Sequence, residues 1–432
     1  MKPVWTSEQI VAQLTNWGTR WNNQAPVPYT FLTHTYAWLG STPNFSVFSA
    51  QQRVALARDM QLVSDVANLS FVEVPDTGAA PSTANQRVGF YNVNHSTVPF
   101  WGAASNTSAG TAIVGADTAV NLWRANQQGG WNIGESNPRK LMHELLHTLG
   151  LDHPGPYNGD TANYESQALF QQDSNQYTVM SYWAASVTGA DHVGDGVTWF
   201  ASTPLLYDVA ALQQLYGANM TTRTGNTVYG FNATADRELF DLSLHPHAVF
   251  TIWDAGGRDT LDLSGFTTPS RIDLHQGAFS DAGQLTANIS IVFGAHIENA
   301  AGGAGNDVLV ANELQNRLSG GGGGDVFTFT DGDAQACWLR SDGKKMLPDT
   351  IADFASGQDR IDLSAIDAVR GTEANDAFTW IGAAAFSNVA GQLRAVAGGG
   401  YVRIEGDTDG NGVADLLIMA STPAVSAGDF VF

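Results

Sequence analysis

In the first half of the chain, apolar positions recur at helical intervals and then give way to short extended runs. Val54, Ala57, Met60, Val63 and Val66 are spaced as on one helical face, and Ser49 with Gln52 has the spacing of a reciprocal N-terminal cap. A helix is expected there, feeding the strand-like LSFVEV of residues 69–74. A second helix is signalled by Asn137 before Pro138, a pair suited to a first helical turn. It should stop at Gly150, because glycine most readily takes the left-handed conformation that closes a helix. A third runs from about Leu205 to Tyr216. After about residue 220 the helical period is lost, and short β-branched runs separated by Gly and Asp take over. One domain is therefore expected over 1–220 and a second over 221–432.

Within the second half, GGAGNDVLV at 302–310 and GGGGGDVFT at 320–328 fit the glycine-and-aspartate nonapeptide that winds a parallel β-roll around calcium. Their starts are two nonapeptides apart. The intervening ANELQNRLS keeps an apolar residue at Leu318 but lacks the glycines, so a turn without its own metal is expected there. Two clear copies make a short roll, which needs flanking sheet to cap it.

Composition sharpens this picture. With 432 residues, 43% hydrophobic, the chain can bury two ordinary cores, and it has no run of about 18 apolar residues to span a membrane. Lys+Arg of 20 against Asp+Glu of 42 gives a net charge of −22, which repels nucleic acid and suits a protein holding several divalent cations. A single cysteine, Cys337, excludes an internal disulfide framework and reads as a bystander. The beginning, MKPVWTSEQIVAQL, lacks the basic and apolar regions of a Sec-type signal.

The strongest chemical signal is HELLHTLGLDH at 143–153. On a helix His143 and His147 project from one face and can bind one ion through imidazole nitrogen. Gly150 lets the chain reverse, so that His153 reaches the same ion and a coordination position stays open, as catalysis requires. Glu144 can then take the proton from an activated water attacking a peptide carbonyl and pass it to the leaving amine. The competing reading is an amphipathic helix that happens to carry histidines, and the glycine with the third histidine at this spacing argues against it.

The extended motif followed by Pro154 and Gly155, then YTVMSYW at 177–183, resembles the serralysins, bacterial metalloproteases of the metzincin type. TRTGNTVYGFN at 222–232, IWDAGGRDTLDLSG at 252–265, IENAAGGAGNDV at 297–308 and DTIADFASGQDRIDLS at 349–364 resemble serralysin segments in the same order. The resemblance implies an α+β metzincin catalytic domain followed by an all-β parallel β-roll (RTX) domain, acting as a monomeric zinc endopeptidase on extracellular proteins and peptides. It implies one zinc held by His143, His147 and His153. Tyr182 would ligate zinc in the free enzyme and swing aside to stabilise the reacting carbonyl, and Met180 would form an apolar floor beneath the metal.

For calcium, carboxylates and carbonyls are the hard ligands required, and Asp254, Asp259, Glu298, Asp307 and Asp325 supply charge. The resemblance adds carbonyls of Arg223, Gly225, Thr227, Gly256 and Gly257, and that of His296, where the family often has threonine. In the nonapeptides, Gly303 and Gly305 with Asp307 are expected to pair across a turn with Gly320 or Gly321, Gly323 and Asp325. GDTDGNGVAD at 406–415 opens like an EF-hand loop but has Ile418 at position twelve, so a hairpin turn is expected. His192 reads as a solvated loop histidine. The terminal GDFVF resembles the C-terminal signal of serralysins, which implies export by a type I secretion apparatus and leaves room for a small proteinaceous inhibitor as partner. Two rival readings stay open: a calcium-dependent adhesion protein on an inactive protease scaffold, against which the intact Glu144 and histidines count, and a cytoplasmic peptidase, which the calcium roll discourages.

Overall fold

The computed structural model describes residues 2–34, 44–97, 100–159, 162–334 and 348–432; Cys337 lies outside them. The chain divides into two compact units, the first comprising residues 1–222, 247–255 and 287–293 and the second 223–246, 256–286 and 294–432. None of the described helices is long and apolar enough to cross a membrane.

The first unit is built on a five-stranded sheet of β1 (Val27–Phe31), β2 (Phe71–Glu73), β3 (Arg87–Val93), β4 (Gly102–Ala109) and β5 (Ala112–Asn121), in the order β2-β1-β3-β5-β4. All neighbours are parallel except β4, which runs antiparallel to β5 along one edge. Among the described residues the helices of two turns or more that accompany the sheet are α1 (Ser7–Leu14), α2 (Ala50–Val66), α3 (Ser136–Thr148) and α4 (Leu206–Tyr216). α3 packs against β4, β5 and α2, so the second signalled helix lies beside the sheet edge. The later segments Phe250–Ile252 and Ile289–Ile291 pair in parallel within this unit.

α2 begins where its cap spacing places it: Ser49 Oγ accepts from the Gln52 amide at 3.3 Å, and Gln52 Oε1 accepts from the Ser49 amide at 2.9 Å. The buried face differs from the apolar spacing, however. Val54 is 68% exposed and Ala57 is exposed, whereas Gln52 and Asp59 are buried. Gln52 can turn inward because its amide exchanges hydrogen bonds of 2.7 and 3.0 Å with Asn92 on β3, which satisfies both groups without water.

The second unit winds as a roll. Strands β6 (Val228–Gly230), β7 (Thr260–Asp262), β8 (Arg271–Asp273), β9 (Asn299–Ala301), β10 (Val308–Val310), β11 (Arg317–Ser319) and β12 (Val326–Thr330) lead into β13 (Asp349–Ile351) and β14 (Arg360–Ala365). From β9 to β12 the strands start nine residues apart and alternate between two sheets, β9 pairing with β11 (Asn299 opposite Arg317) and β10 with β12 (Val308 opposite Val326). Ala300, Leu309, Leu318 and Phe327, each the second residue of its strand, point into the core and are buried. Leu318 thus fills its place in the glycine-poor coil. The roll is continued by β15 (Thr379–Trp380), β16 (Gln392–Gly398), β17 (Tyr401–Asp407) and β18 (Leu416–Ala420); the last three form an antiparallel meander whose β18 joins β13 in parallel. β19 (Phe430–Val431) closes the other sheet against β14.

Candidate active site

The site begins with the way α3 ends. Gly150 takes φ +97°, its amide donates to the His147 carbonyl at 3.0 Å, and the Leu151 amide donates to the Leu146 carbonyl at 3.1 Å. This paired closure satisfies terminal carbonyls and reverses the chain. The next carbonyls are taken by side chains: Trp21 Nε1 donates to Thr148 O at 2.8 Å, Tyr216 Oη to Leu149 O at 2.6 Å, and Asn106 Nδ2 on β4 to His147 O at 2.8 Å. At the other end Asn137 receives Trp101 Nε1 at 3.0 Å and donates to the Ala125, Gly129 and Gly130 carbonyls, fixing the start of the helix.

The reversal brings three imidazoles together. His143 and His147 Nε2 are 3.1 Å apart, His147 and His153 Nε2 3.0 Å, and His143 and His153 Nε2 3.2 Å. His143 Nδ1 lies 2.8 Å from the Val179 carbonyl and His147 Nδ1 2.8 Å from the Leu151 carbonyl. A carbonyl only accepts, so each Nδ1 carries the proton and each Nε2 offers a lone pair inward. Burial pushes His143 well below the ordinary imidazole range, His147 down to about 4 and His153 down to about 3. The neighbouring rings add to the shift at His143 and His153. Three buried neutral imidazoles facing one point are a zinc donor set, and the nitrogen separations approach the roughly 3.3 Å edge of a tetrahedron with zinc–nitrogen bonds of about 2.05 Å. The residues fit the metal.

Glu144 shares the cavity with His143 and Tyr182. It is buried, and burial pushes its carboxyl up to about 8 against the opposing charge of Arg139. Gly102, the first residue of β4, passes so close that a Cβ there would lie 2.7 Å from Glu144 Oε1. Met180 is fully buried in a turn held by Asp208 of α4, whose carboxylate accepts from the Val179 and Leu205 amides at 2.8 Å each and from Thr178 Oγ1. The Tyr182 ring lies 4.8 Å from that of His153 and 5.9 Å from that of His143, and its hydroxyl donates to Asn158 Oδ1 at 3.4 Å. Asp173 and Tyr157 are members the sequence reading missed. Asp173 accepts from Tyr157 Oη at 2.8 Å and Trp183 Nε1 at 3.2 Å, and Tyr157 stacks on His153 at 5.4 Å.

The second unit brings most of the expected calcium residues together. Asp307 accepts from the Gly303 amide at 2.6 Å and the Ser270 amide at 2.7 Å, and Asp325 accepts from the Asp307 amide at 2.8 Å. Gly321 and Gly323 have positive φ, and a Cβ on either would lie 2.1 Å from the carbonyl of Gly303 or Gly305 respectively, so the two glycine turns face each other. Gly320 is equally hemmed in, a Cβ there coming 2.2 Å from Asp325 Oδ2. Burial pushes Asp325 up to about 6, and the charges of Asp359, Asp307 and Asp353 push the same way, a crowding that a divalent cation relieves.

Asp353 and Asp359 were missed because their coil carries no double glycine. Asp353 accepts from the Gly320 and Gly321 amides at 3.0 Å each and Asp359 from the Asp325 amide at 2.9 Å. In the glycine-poor coil Asn316 stands nine residues from both Asp307 and Asp325 and accepts from the Asn312 amide at 2.8 Å, so a turn forms there.

Nearer the start of this unit, Asp259 accepts from the Thr227 amide at 2.6 Å and Glu298 accepts from the Asp259 amide at 2.8 Å. Gly225 approaches Gly257, where a Cβ would meet the Gly225 carbonyl at 2.5 Å; Gly256 has φ +142°. Arg223, at φ +50°, pairs with Asp236 at 2.7 Å. His296 is exposed and meets Gln276 at 3.3 Å, and Asp254 is buried in the first unit. The loop after β17 is the expected hairpin connection, yet Asp407, Asp409 and Asp415 place ligand oxygens within 4.8 Å of one another. His192 is a correction: it is buried rather than solvated, its Nε2 3.4 Å from the Ala287 carbonyl, because 193–194 and 197–198 form a small hairpin whose Trp199 amide returns to the His192 carbonyl at 2.8 Å. It joins neither of the two metal-donor clusters found among the described residues.

The family model "Peptidase M10 serralysin C terminal" matches residues 218–432. The chain is 37% identical to "Metallopeptidase AprA" of Pseudomonas marginalis over 440 residues, covering 96% of this chain and 89% of the relative. It is 37% identical to "Metalloprotease AprA" of Pseudomonas entomophila, covering 85% and 78%, and 38% identical to "Serralysin B" of Dickeya chrysanthemi, covering 72% and 65%. With a three-histidine centre that fits zinc and relatives aligned over nearly its whole length, the chain belongs to the serralysin family of zinc-dependent, calcium-binding metalloendopeptidases.

Proposed function

We propose that the protein is exported and cleaves peptide bonds within extracellular proteins, with His143, His147 and His153 holding the zinc and Glu144 moving the proton. The observation that carries this is the convergence of three imidazole Nε2 atoms within 3.2 Å of one another, one of them belonging to His143, which lines a cavity together with the buried carboxyl of Glu144. Zinc, when bound, supplies Lewis acidity toward the scissile carbonyl. Glu144 takes the proton from the attacking water, and its raised basicity lets it keep that proton until the leaving amine accepts it. Tyr182, beside His153, donates its hydroxyl to the oxygen on which charge develops, and Met180 closes the floor. Among the described strands β4 lies at the edge of the sheet next to Glu144, and an extended peptide can add to it as a further antiparallel strand.

The domain over 1–220 carries the chemistry and that over 221–432 binds calcium at the glycine turns and their carboxylates. External calcium would drive folding of the roll after type I export, since sites of this kind bind and fold together. Digestion of an unstructured protein such as casein, with zinc determined on the same sample, tests the reading. Cleavage at about one zinc per chain is expected; a zinc-loaded, calcium-folded protein that cleaves nothing overturns it.

A further inference from the structure

We propose that Arg139 selects an acidic side chain on the substrate residue that supplies the leaving amine, an inference resting on Glu144 as the group that protonates that amine. Arg139 lies on α3 one turn before His143, in the wall of a cavity of about 340 Å³ that also holds Glu144 and Tyr182. Its Nε is buried and has no hydrogen-bond partner. Among the described residues the guanidinium has no hydrogen bond or ion pair, only the face of the Phe200 ring at 5.9 Å. A part-buried guanidinium with unused donors has lost water without replacing it, and a carboxylate is the group whose two oxygens match its fork.

Among the described residues two carboxylates are near enough for their charge to reach Arg139, those of Asp208 and Glu144. Asp208 already accepts from Thr178, Val179 and Leu205, and Glu144 faces the reacting groups. Neither takes up the fork. The surroundings favour an incoming anion: among the described residues Arg124 and Lys140 line the same cavity as Arg139, in a chain of net charge −22. Because Glu144 must reach the leaving amine, the cavity it lines lies on the leaving-group side. The side chain nearest Arg139 is therefore that of the residue contributing the amine.

The test uses the full chain loaded with zinc and calcium and internally quenched peptides differing only at that residue: Glu, Gln, Leu or Lys. The expected kcat/KM for Glu exceeds that for Gln at least about tenfold, with Lys poorest. Arg139→Gln brings the Glu-to-Gln ratio to within about twofold, and Arg139→Glu inverts the order so that Lys exceeds Glu. A native ratio near one overturns the proposal, as does a ratio that survives in Arg139→Gln. A role for Arg139 only in tuning Glu144 would change all four peptides alike and is excluded by the ratio. The native ratio needs no variant, so misfolding of Arg139→Gln cannot shelter the proposal. Cleavage with a flat ratio removes the selectivity alone, whereas no cleavage of any peptide removes the peptidase reading with it.

Discussion

His147 and His153 place their Nε2 atoms 3.0 Å apart although a helix end and a chain reversal lie between them. That proximity depends on Gly150, whose φ is +97° and where a Cβ would lie 2.3 Å from the Thr19 carbonyl. Gly150→Val is expected to destabilise the first unit by about 2–3 kcal/mol and to weaken zinc binding, because both the left-handed backbone and the close approach are lost. Denaturant unfolding and zinc titration of the same variant check this.

Asp208 organises the turn that carries Met180 through three accepted hydrogen bonds. Asp208→Ala leaves two backbone amides and a hydroxyl without their acceptor in a buried place, at an expected cost of about 2–4 kcal/mol. The variant should also lose zinc more readily, since the Val179 carbonyl that orients His143 belongs to the same turn. Thermal unfolding and metal content report the two effects separately.

His275 in the second unit lies between Asp273, at 2.9 Å, and Asp333, at 3.2 Å. These two hydrogen bonds push its pKa up to about 10 from an ordinary 6.5. The folded state thus holds a proton that the unfolded chain releases, so the stabilisation is fully present below about pH 6.5 and is lost as pH rises towards 10. At saturating calcium the difference in denaturation midpoint between the native protein and His275→Gln should shrink steadily from pH 6 to pH 10. A difference that stays constant across this range contradicts the assignment.

The crowding of Asp307, Asp325, Asp353 and Asp359 ties the roll to its cation. Calcium chelation is expected to unfold the roll, seen as loss of β-sheet signal in far-UV circular dichroism and new proteolytic cuts within 294–432, both reversed by added calcium. Asp325→Ala should raise the calcium concentration at the folding midpoint about tenfold or more, by removing a charged ligand shared between adjacent turns.

Much of the site was legible because its chemistry depends on local spacing. His143 and His147 one turn apart, Gly150 as the helix stop and His153 just beyond it are fixed by helical geometry and one left-handed residue. The nonapeptides were legible for the same reason, since their glycines face neighbouring carbonyls too closely for a side chain. What escaped depends on contacts distant in sequence. No sequence motif marks Arg139, which gains a role only when Phe200 and Glu144 are placed around it, and Asp173 gains one only when Tyr157 and Trp183 converge on it. Asp353 and Asp359 lack the glycines that mark their partners. The buried face of α2 was misjudged because a polar pair, Gln52 with Asn92, satisfies itself internally and so displaces Val54 to the surface.

The most direct test of the central claim is zinc content and casein hydrolysis measured together for the native chain and for Glu144→Gln. The account predicts that the variant keeps about one zinc and its fold while losing activity by several orders of magnitude, because the three imidazoles are untouched and the proton carrier is gone. A zinc-loaded variant that retains near-native hydrolysis would contradict it.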